Sequence, residues 1–315
     1  MKQILDGTCA IPVATASSPH ADAARDARMR VALQAFAAAA AAGSLRLHLP
    51  QRLTEPTARG EGHFHLAPEL FLQTSGWTDF RFPTGGCRLR TGEALVLPSQ
   101  LRHAERVGAD RGDAPFENLV VFAEAPLLTC HQAHEQAAGE PGVAYLQARR
   151  HAQAARIHEW LCDASRQGAV DDDWAQPQAR ALVAAALAGV LRALDQDEGR
   201  EAGEPALVAR LRVLIQNQLG DAALSVQRLA QQSGVSADHL AQLFRRNAGE
   251  PLVAHINRLR MERAARLLRE TGLSGKEVAW ACGFGGHSYF IRVFRRHHGL
   301  APHEWRERAS RPVPF

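Results

Sequence analysis

The strongest constraint on this chain is a near-repetition within its last third. The stretch from Ser225 to Gly249 and the stretch from Ser274 to Gly299 follow one plan. Ser225 and Ser274 suit an N-cap, since a serine hydroxyl accepts a free N–H at a helix start. Ala230 and Ala279 follow at equal spacing, where a small side chain lets a second helix cross closely. Gly234 and Gly283 come four residues later, where a tight turn calls for positive φ. Leu240, Leu243 and Phe244 supply the inward face of the next helix. Phe290, Val293 and Phe294 do so in the second copy, shifted by one extra turn residue. Both copies close on Phe-Arg-Arg-x-x-Gly, at Phe244–Gly249 and Phe294–Gly299. The expectation is two helix-turn-helix units, with a plain helical packing repeat as the bland alternative. Between them Pro251–Thr271 reads as one helix, with Ile256, Leu259, Ala264, Leu267 and Leu268 in a stripe. About 20 residues at 1.5 Å each give roughly 30 Å, close to the ~34 Å turn of B-DNA.

Charge points the same way. Residues 205–315 carry 17 Lys+Arg against 8 Asp+Glu, whereas residues 1–204 carry 20 against 25. A basic segment on an acidic remainder suits a phosphate-backbone partner. Apolar residues make up 46% of the 315, enough for an ordinary core. No apolar run approaches the ~20 residues of a membrane helix, and Met1–Pro12 lacks a signal-peptide pattern. A soluble cytoplasmic protein with no membrane partner is therefore expected. The five cysteines are odd in number and scattered, which implies neither a disulfide framework nor a cysteine zinc site.

Upstream, residues 21–42 read as an alanine-rich helix stopped by Gly43. From Leu45 to about Phe122, short apolar runs such as Leu70–Leu72 and Ala94–Leu97 alternate with Gly76, Pro83, Gly85, Gly86, Gly92 and Pro98. That spacing suits a small antiparallel sandwich or barrel. Helices are expected near 145–167 and 176–195, the second with an apolar stripe open to a homodimer seam or to packing on the barrel. The acidic, glycine-containing segment Asp195–Pro205 reads as a linker.

Two family resemblances sharpen this. Residues 205–309, and above all Gly283–Arg306 with Phe284, Ser288, Tyr289, Phe290, Arg292, Phe294, Gly299, Pro302 and Trp305, resemble the AraC/XylS-type DNA-binding domain. The resemblance implies seven helices, with recognition helices at Ser236–Asn247 and Gly286–His298. Base-facing positions would then be Ala237, Asp238, Ala241 and Gln242 in the first, and His287, Ser288, Ile291 and Arg292 in the second. Gln242 suits adenine and Arg292 suits guanine. Arg245, Arg246, Arg295 and Arg296 are placed for phosphates. The second resemblance joins Gly62-His63-Phe64-His65-x3-Glu69 to Gly92–His103 and is to the cupin barrel, with Gln100 standing where glycine is usual and no asparagine following His103. It implies that His63, His65, Glu69 and His103 either ligate one transition metal (Zn, Ni, Fe or Mn), line a metal-free ligand pocket, or serve structure alone.

The expected class is thus α+β. It comprises an N-terminal arm and helix (1–44), a cupin-like effector domain (45–140), a helical connector with dimerisation helices (141–200) and an all-α double helix-turn-helix domain (205–309). The expected function is a sequence-specific transcriptional regulator that binds double-stranded DNA and senses a small effector. It is not an enzyme, and a contact with RNA polymerase is compatible with it. A metal-dependent cupin enzyme fused to a DNA-binding domain is the alternative.

Overall fold

The computed structural model describes residues 19–51, 53, 61–110, 114–124, 126–196 and 205–309. The unperiodic residues 1–18 and most of the expected linker, 197–204, lie outside these.

Helix α1 (Pro19–Ala41) comes first, and Gly43 closes it at φ 73°. Nine strands follow: β1 (Leu47–His48), β2 (Glu69–Ser75), β3 (Trp77–Phe82), β4 (Gly85–Arg90), β5 (Ala94–Leu97), β6 (Ala104–Gly108), β7 (Glu117–Glu124), β8 (Leu127–Ala137) and β9 (Glu140–Arg150). Then come α2 (Gln153–Arg166) and α3 (Ala175–Asp195). The strands form two open sheets, one of six in the order β1-β5-β2-β7-β8-β9 and one of three in the order β4-β3-β6.

Period-two alternation decides what each face of the large sheet meets. Leu70, Leu72, Leu119, Val121, Leu128 and Cys130 share a core with Met29, Leu33 and Phe36 of α1, Ile157 and Leu161 of α2, and Val183, Leu187 and Val190 of α3. On the opposite face, Phe71, Leu95, Leu97 and Val120 pack with Phe80 and Leu89 of the small sheet. The N-terminal unit is therefore three layers: helices, six-stranded sheet, three-stranded sheet.

Several expectations are corrected here. The sheet runs on to Arg150, past the expected boundary at 140, so the helix expected from 145 begins at Gln153. Val143 and Tyr145 are buried at strand spacing, and β9 pairs with β8 along its length. Helix α1 is part of the sheet domain's core, not a separate arm. The apolar stripe of α3 is no free dimer seam: Ala179, Val183, Ala186, Leu187 and Val190 are fully buried within the chain. Helix α3 is also long and apolar enough to cross a membrane, by length and composition alone. Its buried residues face α1 and α2.

The C-terminal unit has seven described helices: α4 (Ala206–Gln218), α5 (Val226–Ser233), α6 (Ala237–Ala248), α7 (Leu252–Glu270), α8 (Gly275–Ala281), α9 (His287–His298) and α10 (Pro302–Ala309). It contains two cores. The first joins Leu211, Leu214 and Ile215 of α4 to Leu229, Leu240, Phe244, Leu252 and Ile256. The second joins Met261, Ala264, Leu267 and Leu268 to Val278, Phe284, Phe290, Val293 and Phe294. Helix α7 contributes to both, so it is the spine between the halves. Its 19 residues make a rod of about 28 Å.

Candidate nucleic-acid interface and histidine cluster

Each turn of the repeat is built as its residue types require. Ser225 accepts a hydrogen bond from the Arg228 N–H, and Ser236 accepts one from the His239 N–H. Ser274 accepts from the Glu277 N–H, and the Glu277 carboxylate accepts from the Ser274 N–H, closing a capping box. Gly234 and Gly283 lie at φ 67° and 73°. At Gly283 a Cβ would fall 2.8 Å from the Leu219 carbonyl oxygen and 2.6 Å from the Arg260 guanidinium. That position is closed to side chains on two grounds, backbone and space. Buried Arg260 donates to the carbonyls of Leu219 and Asp221 at 3.1 and 2.7 Å, and so binds the end of α4 to α7. Trp305 and Arg306 of α10 donate to the α7 carbonyls of Ala265 and Leu268.

With Leu240 and Phe244 turned inward on α6, and Phe290, Val293 and Phe294 on α9, the remaining faces are determined. Asp238, Gln242, Arg245 and Arg246 are exposed on α6, and His287, Ser288, Arg292, Arg295 and Arg296 on α9. Three expected base-facing residues are only half-exposed: Ala237, Ala241 and Ile291. Ala237 packs against the first core and Ile291 against the second. Tyr289, part of the matched signature but not among the expected base-facing positions, is 49% exposed. The Arg292 guanidinium lies over its ring at 5.3 Å.

The second site lies at the inner face of the large sheet. His63 and His103 form an isolated antiparallel bridge, with paired N–H···O bonds of 2.9 and 2.8 Å. Gly62 makes that approach possible, because a Cβ there would fall 1.8 Å from the His103 carbonyl oxygen. The Gln100 N–H donates to the His65 carbonyl at 2.7 Å. These bonds bring His63, His65 and His103 together, and one ring nitrogen from each lies within 4.8 Å of the others. Glu69, opening β2, places its carboxylate oxygens 3.5 Å from His65 Nε2 and 3.8 Å from His103 Nε2. All four expected ligands therefore converge. Glu105, which the sequence reading missed, lies 3.7 Å from His103 Nε2. The signal for it was its strand spacing from His103.

Burial dominates the electrostatics. It holds the His63 and His65 imidazoles well below their ordinary range and His103 at about 4, so all three are neutral at pH 7. The same burial pushes Glu105 up to about 7 and Glu69 well above the usual carboxylate range, with the neighbouring Glu105 charge adding to the latter. His65 Nε2, His103 Nε2 and Glu69 Oε2 are buried without a hydrogen-bond partner. Neutral imidazoles with free lone pairs beside a desolvated carboxyl are what a hard-to-borderline cation would satisfy. The donor set fits a transition metal. A cavity of about 230 Å³ adjoins the cluster, lined by His63, Glu69, Glu105, Asn118, His131 and, from α4, Asn217 among others. Neither amide atom of Asn118, which is 1% exposed, has a partner.

Comparison with known proteins places the C-terminal unit. Residues 229–308 match the family model described as a helix-turn-helix domain. A protein of Escherichia coli (strain K12) named as the uncharacterized HTH-type transcriptional regulator YpdC is 36% identical over 85 residues, covering 27% of this chain and 30% of that one. The uncharacterized HTH-type transcriptional regulator YijO of the same organism is 32% identical over 131 residues, covering 42% of this chain and 46% of that one. A crystal structure of a transcriptional regulator described as having an AraC-type DNA-binding domain, from Chromobacterium violaceum, is 28% identical and covers 36% of this chain and 100% of its own, with a TM-score of 0.33. The chain spans less than half the length of these curated relatives.

Proposed function

We propose, from the premise that the C-terminal region is an AraC-type helix-turn-helix domain, that the whole chain is a sequence-specific DNA-binding transcriptional regulator. One observation carries this reading. Two copies of a helix-turn-helix bury Leu240 and Phe244 on one helix and the matching Phe290 and Phe294 on the other, and leave Gln242, Arg245 and Arg246 on the first, and Arg292, Arg295 and Arg296 on the second, open to solvent. Arginine can donate to the O6 and N7 acceptors of guanine, and glutamine can donate to N7 and accept from the N6 amine of adenine. The arginine pairs at the helix ends suit phosphates, which position the protein without reading sequence.

Selection of random duplexes by the full-length chain, followed by gel shift, tests it. The expected product is a bipartite motif with half-sites about one duplex turn apart. Failure to shift any enriched fragment at low salt would remove the reading.

The sheet domain is read as a cupin-like sensor. Its histidine cluster would take one Zn, Ni, Fe or Mn ion on His63, His65, Glu69 and His103, with Glu105 in reach. When bound, the ion would supply a fixed positive charge and a common centre for ligands now left unpartnered. The supporting observation is the set of orphaned donor atoms. Metal content of the chain purified without chelator decides it, with a His103→Ala variant expected to lose the ion. Ion content far below one equivalent in the unaltered chain would leave the cavity beside Asn118 and His131 as a metal-free effector pocket. An effector at either place acts on DNA binding only through unequal affinity for two states of the protein.

A further inference from the structure

Phe64 lies between His63 and His65 in the sequence, yet its ring belongs to the other domain. It is 2% exposed and sits in the core of the second helix-turn-helix half with Met261, Ala264 and Phe284. The Arg263 guanidinium of α7 covers the ring at 4.0 Å and donates to the Phe64 carbonyl at 3.2 Å. On the other flank of the cluster, the Gln100 side chain donates to Glu270, the last residue of α7, at 3.0 Å. The first half touches the sheet domain elsewhere, where Val143 of β9 enters its core. Both halves are thus seated on one platform, the second through Phe64 beside the histidines and through an Arg266–Glu124 pair at 3.9 Å.

We propose that Phe64 is a latch through which a divalent cation at the histidine cluster sets the docking of the second helix-turn-helix half, an inference that rests on the sensor reading above. The ring nitrogens of His63, His65 and His103 lie within 4.8 Å of one another. Ligands at about 2.1 Å from one ion stand at most about 4.2 Å apart. Coordination therefore draws the three histidines inward. The His63 and His65 rings meet at 4.8 Å while the Phe64 ring lies in the helical core, so the two imidazoles and the Phe64 ring pull against each other. Moving residues 63 and 65 toward Glu69 withdraws residue 64 from beneath Arg263. The ion prefers the withdrawn state, and α7 is released.

Hydrogen–deuterium exchange of the full chain, with and without zinc, tests the latch in parallel with gel shift on a selected duplex. In the unaltered chain zinc is expected to speed exchange in residues 261–268 and to change duplex affinity by roughly tenfold, within the usual range of allosteric coupling. Phe64→Ala should exchange fast in that segment without zinc and should bind zinc undiminished. Its exchange and duplex affinity should show no further response to the ion. Phe64→Leu, which keeps an apolar knob, should restore most of the response. A zinc response in Phe64→Ala equal to that of the unaltered chain overturns the latch. So does zinc binding that alters neither exchange nor affinity in the unaltered chain. If no zinc binds at all, the metal reading of the histidine cluster falls with the latch, and metal analysis identifies that case. Should Phe64→Ala fail to fold, Arg263→Lys keeps the charge but loses the fork that covers the ring and holds its carbonyl. It is expected to show the same loss of response.

Discussion

Gln100 is the one described residue other than glycine with a positive φ, at 67°. A left-handed backbone costs a residue with a Cβ about 1–2 kcal/mol. Here the side chain returns something, because its amide reaches Glu270. Gln100→Ala keeps the strained backbone and removes the bond, so it should destabilise by about 1 kcal/mol. Gln100→Gly removes both and should be close to neutral. Urea unfolding of the two variants side by side separates strain from contact. On α9, Arg292→Ala should weaken DNA binding by about 1–3 kcal/mol and relax a single base position. An unchanged selected motif in that variant would remove Arg292 from the reading set. The site residues were unevenly legible. His63, His65, Glu69 and His103 were visible because the cupin-like spacing is a local pattern. Glu105, two residues after His103, was open to the same local reading, whereas Asn118, His131 and Asn217 were not, because they meet the cluster only through strand pairing and domain docking. Nothing local marks Asn217 as lining a cavity of the sheet domain.

Among the elements, the repeat was read nearly to the residue, since caps and left-handed turns are local chemistry. Its two copies are capped unequally at their second helix: α6 starts at Ser236, whose side chain accepts from the His239 N–H, while α9 starts at Gly286 with no side-chain cap. Ser274→Ala should cost about 1 kcal/mol, and Gly286→Ser should gain a few tenths, both measured by chemical denaturation. The second half of β9, from Tyr145, reads as helix in the sequence. Leu146, Ala148 and the charged residues after Tyr145 give a helix-like composition, and only the pairing with β8 decides between the two. Helix α3 was misjudged for a related reason. An apolar stripe says that something covers it, not what. Its cover is α1 and α2, so Leu187→Ala should leave a cavity and cost about 2–5 kcal/mol of unfolding free energy. That loss should be independent of protein concentration, as a dimer seam would not allow.

For the whole molecule, charge is divided between the domains: the C-terminal segment is basic and the rest acidic. The logarithm of DNA affinity should therefore fall linearly with that of salt concentration, and replacing Arg295 or Arg296 by alanine should lessen the slope by about one each. A gel-shift series across salt concentrations measures it, and an unaltered slope would place those arginines off the phosphates. The helical spine α7 has a further consequence. It belongs to both small cores at once, so neither reader turns without the other. Inserting a single base pair between half-sites rotates one about the duplex axis by roughly 35° relative to its neighbour. A protein whose two hands share one bone has no joint with which to follow, and it should therefore tolerate letters changed between its half-sites far better than letters added.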